Sequence, residues 1–227
     1  MKTPIIILNR DRLETTRKLV SDLQDRGYIN ITIYDIGSTY PPLLQWYEEY
    51  NIPVMYCNDV DKGHKALWST GDIKKWQQQW VAVTDSDIQL NQDTPENFIE
   101  DMIVVAKNYR VNKVGLALDI SNIKNTYLRN IILPIEKPYW NYLLHENNGN
   151  GIYNAPVDTT FCIVKPNEPF TYQALRIGGV YTCRHVDWDM NFDNIIPEQQ
   201  YYMEHADERI ATTKQHYIKY RHEKLNN

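Results

Sequence analysis

The chain of 227 residues has only three cysteines, Cys57, Cys162 and Cys183, and none forms a C-x-x-C pair. An odd and dispersed set excludes a disulfide framework and a cysteine zinc site; it reads as buried thiols in a reducing compartment. Long apolar runs are lacking too. After Met1-Lys2-Thr3-Pro4 the run Ile5 to Leu8 is too short for a secretory leader or a membrane span. Nor is there an excess of positive charge: 24 Lys and Arg stand against 29 Asp and Glu, giving a net charge of −5 and a pI near 5.7. That balance argues against nucleic acid as a partner, and only Lys214, Lys219, Arg221 and Lys224 make a mild basic cluster. Repeats and low-complexity tracts are absent. The expectation is a cytoplasmic protein with no transmembrane segment.

What is present suits a folded domain. Hydrophobic residues make up 42% of the chain and charged ones 23%, which is enough for a core and ordinary for a soluble surface. The length fits one domain over 1–227. Ile5 to Leu8 reads as a buried parallel strand, and Leu13, Leu19, Val20 and Leu23 give the next segment one apolar helical face, closed by Gly27. Ile29 to Tyr34 is a second strand, ending at Asp35-Ile36-Gly37-Ser38. A helix from Tyr40-Pro41-Pro42 to Tyr50, a short strand Pro53 to Tyr56, a loop 58–63, helical segments near 65–70 and 73–79, and a strand Trp80 to Thr84 follow. This alternation predicts an α/β fold with an open, mostly parallel sheet and helices on both faces. Beyond residue 90 the pattern loosens. A helix over Phe98 to Tyr109, strands over Val114 to Asp119 and Asp158 to Val164, a long loop over 137–154 and a helical tail from Pro197 to Leu225 are expected.

Open parallel sheets bind ligands at the carboxyl ends of their strands. Asp85-Ser86-Asp87 sits at such an end. Two carboxylates two residues apart can reach one hard cation, magnesium or manganese, and leave sites for phosphate and water. Asp-x-Asp triplets are common in surface turns; the position directly after Val81-Ala82-Val83-Thr84 favours the ligand reading. His185 follows the strand-like Val180 to Cys183 and is flanked by Arg184 and Asp187, and a neutral imidazole joining two carboxylates is reasonable chemistry for manganese. Asp158, opening a strand, is a candidate general base, with Asp119 the rival and Asp187 and Asp189 further possibilities. Trp68, Trp76 and Trp80 read as core, while Tyr139, Trp140 and Tyr142 in the long loop suit stacking on a sugar.

The order of these features resembles the metal-dependent glycosyltransferases of the GT-A fold, closest to family 2-like enzymes and small viral or bacterial sugar transferases. Pro4 to Arg10, Asp35-Ile36-Gly37-Ser38, Asp85-Ser86-Asp87, Val157 to Phe161 and Arg184 to Trp188 carry the likeness, across roughly residues 4 to 204. It implies a Rossmann-like nucleotide-binding half over about 1–90 and an acceptor-binding half with a helical tail over about 91–227. It also implies a nucleotide-sugar donor, a UDP-sugar first, contacted by Asn9, Arg10, Asp35, Ser38, Lys62, Asp85 and Ser86. Asp85, Asp87 and His185 would then hold Mn2+ or Mg2+, Arg184 would face the diphosphate, and Asp158 would serve an inverting transfer to a glycan or other hydroxyl acceptor. Lys65 is an alternative to Lys62 for offsetting phosphate charge.

Three other readings compete. A phosphatase of the Asp-x-Asp type would want its nucleophilic Asp after the first strand, but that strand ends in Asn9-Arg10. A sugar-1-phosphate nucleotidyltransferase should carry an early glycine-rich phosphate loop, and Asn9-Arg10-Asp11-Arg12 has no glycine. A non-catalytic carbohydrate-binding module would have no need for Asp85, Asp87, Asp158 and His185 together.

Overall fold

The computed structural model describes residues 3–57, 59–209 and 211–226. Met1 and Lys2 of the N-terminal reading, Asn58 of the loop 58–63, Ile210 of the helical tail and Asn227 lie outside the described residues. Strand β1 (Ile5–Asn9) is buried at every position. Its alternate side chains enter two different cores: Ile5 and Ile7 join one cluster, Ile6 and Leu8 the other. That two-sided burial explains the unbroken apolar run, since each face of the strand has its own helical cover. Ile7→Ala would cost about 2–5 kcal/mol because its cavity cannot collapse between sheet and helices.

The first cluster packs helix α1 (Glu14–Asp25), α2 (Pro41–Tyr50) and α4 (Phe98–Tyr109) on one face of the sheet. The second places Ala66 and Leu67 of the short α3 (Ala66–Ser69), with Ile73, on the opposite face. Helix α1 ends where the sequence says it should. Gly27 adopts φ 79°, its N–H donates to the Gln24 carbonyl at 2.8 Å, and the Tyr28 N–H donates to that of Leu23 at 2.9 Å. These paired bonds satisfy carbonyls that the helix end leaves free, and the left-handed turn favours glycine.

Strands β2 (Ile31–Asp35), β3 (Val54–Tyr56) and β4 (Val81–Asp85) join β1 in the parallel order β3-β2-β1-β4. The remaining strands are β5 (Ile88–Leu90), β6 (Lys113–Leu118), β7 (Leu143–Asn147), β8 (Asn150–Asn154), β9 (Phe161–Val164) and β10 (Leu175–His185). They extend the sheet as β4-β9-β6-β10-β8-β7, with β5 also paired to β10. Here the expectation of a mostly parallel sheet needs correction. Among the described residues four strand pairings are parallel and five antiparallel, so the sheet is mixed. Two of the five come from β9, which inserts antiparallel between β4 and β6, and the other three from β5, β7 and β8.

The long loop expected over 137–154 is also corrected. A 3-10 turn (Lys137–Asn141) leads into a β7–β8 hairpin whose two-residue connection is Asn148-Gly149, both at positive φ (50° and 79°). Asn-Gly is the pair that such a turn selects, because its twist matches that of the flanking strands. Asp158 precedes β9, which begins at Phe161, and does not open it. The tail forms two helices, α6 (Pro197–His205) and α7 (Thr212–Leu225). They meet α5 (Thr126–Glu136) through Leu128, Phe192 and Met203, with Tyr217 and Tyr220 packed alongside. Among the described residues no helix is long and apolar enough to cross a membrane.

Candidate metal centre and its cavity

Asp85 is the last residue of β4, and the Ser86 N–H continues the ladder to the Leu8 carbonyl at 3.1 Å. The chain then turns through Asp87 directly into β5. That strand runs antiparallel to the end of β10 with Ile88 opposite His185, and the Val186 N–H donates to the Asp87 carbonyl at 2.8 Å. Backbone pairing thus brings His185 against the two aspartates, although 98 positions separate it from Asp87 (185 less 87). One ligand atom from each of Asp85, Asp87 and His185 lies within 4.8 Å of the others, a group that could hold a metal ion. Trp188 stacks on the imidazole at 5.3 Å between ring centres and 11° between planes, which fixes the ring's orientation.

The electrostatics of the cluster show a surplus of negative charge. Burial pushes the Asp85 carboxyl up to about 8, reinforced by the Asp158 and Asp87 carboxylates and opposed by the Thr159 hydroxyl, which donates to Asp85 Oδ1 at 2.7 Å. For Asp87 burial acts in the same direction, but His185 and Arg12 outweigh it and hold the carboxyl below its usual range. Burial works against a charged His185, yet Asp87, Asp187 and Asp85 lift it to about 10. Nδ1 of that ring lies 3.0 Å from Asp87 Oδ2 but is buried without a hydrogen bond, so the two atoms are close without being aligned. Two carboxylates and an imidazole crowded in this way suit a cation that replaces the proton between them.

Arg12 and Asp187 form a buried ion pair beside the cluster, and the Arg12 guanidinium lies 3.9 Å above the Tyr202 ring. Burial opposes the charge of Arg12, but Asp187, Tyr202 and Asp87 more than compensate. Helix α6 is anchored here a second time. Oε2 of Glu198 accepts from the Leu13 and Glu14 N–H groups, both at 2.8 Å, and so caps α1, which has no side-chain cap of its own. Asp11, at φ 54°, accepts from the Thr39 and Tyr40 N–H groups at 2.6 and 2.8 Å and ties the β1 loop to the start of α2.

These elements enclose a cavity of about 240 Å3. That is below the roughly 300–1,000 Å3 of common small-molecule pockets, so an extended ligand would need part of its length outside. Of the residues singled out from the sequence, Asn9, Arg10, Asp85, Ser86, Asp87, Asp158 and His185 all line it. Asn9 donates from Nδ2 to the Arg12 carbonyl (3.0 Å) and to Tyr47 Oη (2.8 Å), which leaves its buried Oδ1 without a partner; Arg10 Nε is likewise unpartnered.

Other candidates stand elsewhere. Asp35 is buried and accepts from Tyr47 Oη at 2.9 Å and from the Ser38 N–H at 2.8 Å, while Ser38 Oγ accepts from the Asp11 N–H at 2.9 Å. Neither lines the cavity, and nor does the exposed Lys62. Lys65 lies over the Phe170 and Tyr172 rings at 5.5 and 5.3 Å. Arg184 pairs with Asp189 and donates to the Asn122 carbonyl at 3.1 Å. Asp119 accepts from the Ser121 N–H at 2.9 Å and is not a cavity residue. Tyr139 lies under Arg176, Trp140 packs edge-on to Tyr153 at 5.1 Å, and Tyr142 is exposed.

Gly63 and His64 line the cavity from a 3-10 segment, Val60–Lys65, which takes the place of most of the loop expected over 58–63. The sequence did not point to the far wall, where Tyr202, Asp207, Thr212 and Thr213 line the cavity from α6, the α6–α7 connection and α7. No local pattern announces Tyr202 or Glu198, because their partners Arg12 and Leu13 lie 190 (202 less 12) and 185 positions away along the chain. Comparison with known protein families and with curated proteins finds no match to this chain. The geometry of the site therefore carries the functional reading.

Proposed function

We propose that this protein is a metal-dependent glycosyltransferase that moves a sugar from a nucleotide-sugar, a UDP-sugar first among the candidates, to a hydroxyl of a glycan or other acceptor. The observation that carries the reading is the position of the Asp85, Asp87 and His185 group. It lies at the carboxyl ends of β1 and β4, the two strands between which the order β3-β2-β1-β4 reverses. Such a reversal opens the crevice in which doubly wound sheets take nucleotides. Asn9 and Arg10 flank it from β1, each with an unpartnered polar atom.

The donor set fits a divalent cation, and its one nitrogen favours manganese over magnesium, which prefers oxygen throughout. When bound, that cation would supply charge neutralisation for a departing nucleoside diphosphate. The protein's own groups do the rest. Thr159 fixes Asp85 and Trp188 fixes His185, while Arg12, held by Asp187, keeps a positive charge beside Asp87. Asp158 shares the cavity and is the base of the proposed transfer. The acceptor oxygen bonds to the anomeric carbon, the bond from that carbon to the diphosphate oxygen breaks, and the hydroxyl proton passes to the Asp158 carboxylate. A single displacement of this kind inverts the anomeric centre.

The test is release of nucleotide from UDP-, GDP- and dTDP-sugars with Mn2+ or Mg2+ across a panel of glycan acceptors, followed by proton NMR of the product. Metal-dependent transfer with an inverted anomeric signal is expected. An α-linked product from an α-linked donor would refute inversion, and no release from any donor would count against the transferase as a whole.

A further inference from the structure

Lys113 opens β6 and is 3% exposed, a rare position for an ammonium group. Its Nζ donates to three main-chain carbonyls, those of Val157 (2.7 Å), Asp158 (2.6 Å) and Thr171 (2.8 Å), and lies 4.9 Å from the centre of the Phe170 ring. An ammonium has three hydrogens, and here each has an acceptor. The group is saturated by backbone and pairs with no carboxylate among the described residues.

The Val157 and Asp158 carbonyls belong to the turn that presents Asp158 to the cavity, and the Thr171 carbonyl to the segment that leads into β10. Two residues along β6, and so on the same face of the sheet, Gly115 leaves room for the turn. A Cβ there would lie 2.7 Å from both Cγ atoms of Val157 and 3.1 Å from the Phe161 carbonyl. The Val157 N–H donates to the Tyr172 carbonyl at 2.8 Å, and Lys113 bridges the same two segments from the other direction. Beyond the clamp the bonds continue to the metal group. Asp158 Oδ1 accepts from the Thr160 N–H at 3.0 Å, Thr159 Oγ1 donates to Asp85 Oδ1 at 2.7 Å, and the Thr160 carbonyl accepts from Thr84 Oγ1 at 2.7 Å.

We infer that Lys113 is a positioning residue: its buried ammonium clamps the turn 157–160 onto the sheet and sets Asp158 and the Thr159–Asp85 contact in the cavity. The clamp stands on the geometry alone, whereas its consequence for transfer rests on the glycosyltransferase reading. Lys is needed because three carbonyls from two segments converge on one point, which an apolar side chain would leave unsatisfied. Arginine keeps the charge and the donors and serves as the conservative variant.

The test separates the clamp from the chemistry. Amide hydrogen exchange read by NMR on the whole chain should show the Thr160 N–H exchanging at least about tenfold faster in Lys113→Met, with the β1 amides as slow as in the wild type. Lys113→Arg should restore most of the protection. In transfer assays Lys113→Met should lower kcat about 30-fold or more and leave the donor KM within about threefold, since misplacing a reacting group by ~1 Å can cost about 100-fold. Should Lys113→Met fail to fold, Gly115→Ala displaces Val157 from the sheet side and should speed Thr160 exchange alike. Unchanged Thr160 exchange in a folded Lys113→Met protein would overturn the clamp. Faster Thr160 exchange in a protein that transfers no sugar would support the clamp and sink the transferase reading.

Discussion

The two halves of the sheet differ in how their positions are determined. In β3-β2-β1-β4 each strand is followed by its own helix or turn, neighbours in sequence are mostly neighbours in space, and two-sided burial writes itself into apolar runs such as Ile5 to Leu8. In β9-β6-β10-β8-β7 the strands interleave out of order, and the defining contacts are long-range. The candidate metal group lies at the seam. Asp85 and Asp87 come from the regular half, whereas His185 arrives on the last residue of β10, held by pairing with β5. Local pattern is enough to place a carboxylate pair at a strand end. His185, singled out in the sequence from its strand-end position and from a resemblance, reaches that pair through the pairing of β5 with β10.

The largest expected effect tests that seam. Asp87→Ala should abolish metal-dependent transfer, with a loss of about 1,000-fold or more, and leave a folded protein by circular dichroism. Full activity in the variant would detach the chemistry from the metal group. Asp158→Asn comes next. It should retain metal and nucleotide binding by calorimetry while transfer falls about 100- to 10,000-fold, the usual range for a general base. Retained transfer would pass the proton to another group.

Stability sharpens the same comparison. In the irregular half, Arg176 pairs with Glu136 at 2.5 Å with both side chains buried, linking β10 to the end of α5. Glu136→Ala would leave an uncompensated buried guanidinium and should cost about 3–5 kcal/mol in denaturant titrations. Glu198→Ala removes the cap that α6 supplies to α1 and should cost about 1–2 kcal/mol. A loss below about 0.5 kcal/mol in that variant would mean that the tail helices add little to the regular half.

Much of the fold was legible for identifiable reasons. The Gly27 stop of α1, the strand runs of β1, β2 and β4, and the apolar face of α4 are local signals, and the structure has each of them. The mixed character of the second half was not legible, because nothing in Phe161 to Val164 says between which strands β9 will insert. The β7–β8 hairpin does carry a local signal, since Asn148-Gly149 between two short strands is a turn with a known conformational demand, although the surrounding Asn, Tyr and Gly residues read as a loop. Strand β5 has three residues, too few for periodicity to register, although it is the strand that brings His185 to Asp87. The cavity's near wall could be read from strand ends. Its far wall could not, since Tyr202 and Asp207 reach it only through the docking of α6 on Arg12 and on the first turn of α1. Asp35 and Ser38, expected to contact the nucleotide, are bonded to each other, to Tyr47 and to Asp11, and neither lines the cavity.

The most direct test of the central claim is thermal unfolding of the wild type and Asp87→Ala with UDP, GDP, dTDP and CMP, each with and without Mn2+. A ligand that binds only the folded chain raises the apparent Tm. The proposed site predicts a rise with one nucleotide that requires Mn2+ and disappears in Asp87→Ala. A rise that persists without Mn2+ or in Asp87→Ala, or no rise with any nucleotide, would contradict a metal-bridged nucleotide at the crevice between β1 and β4.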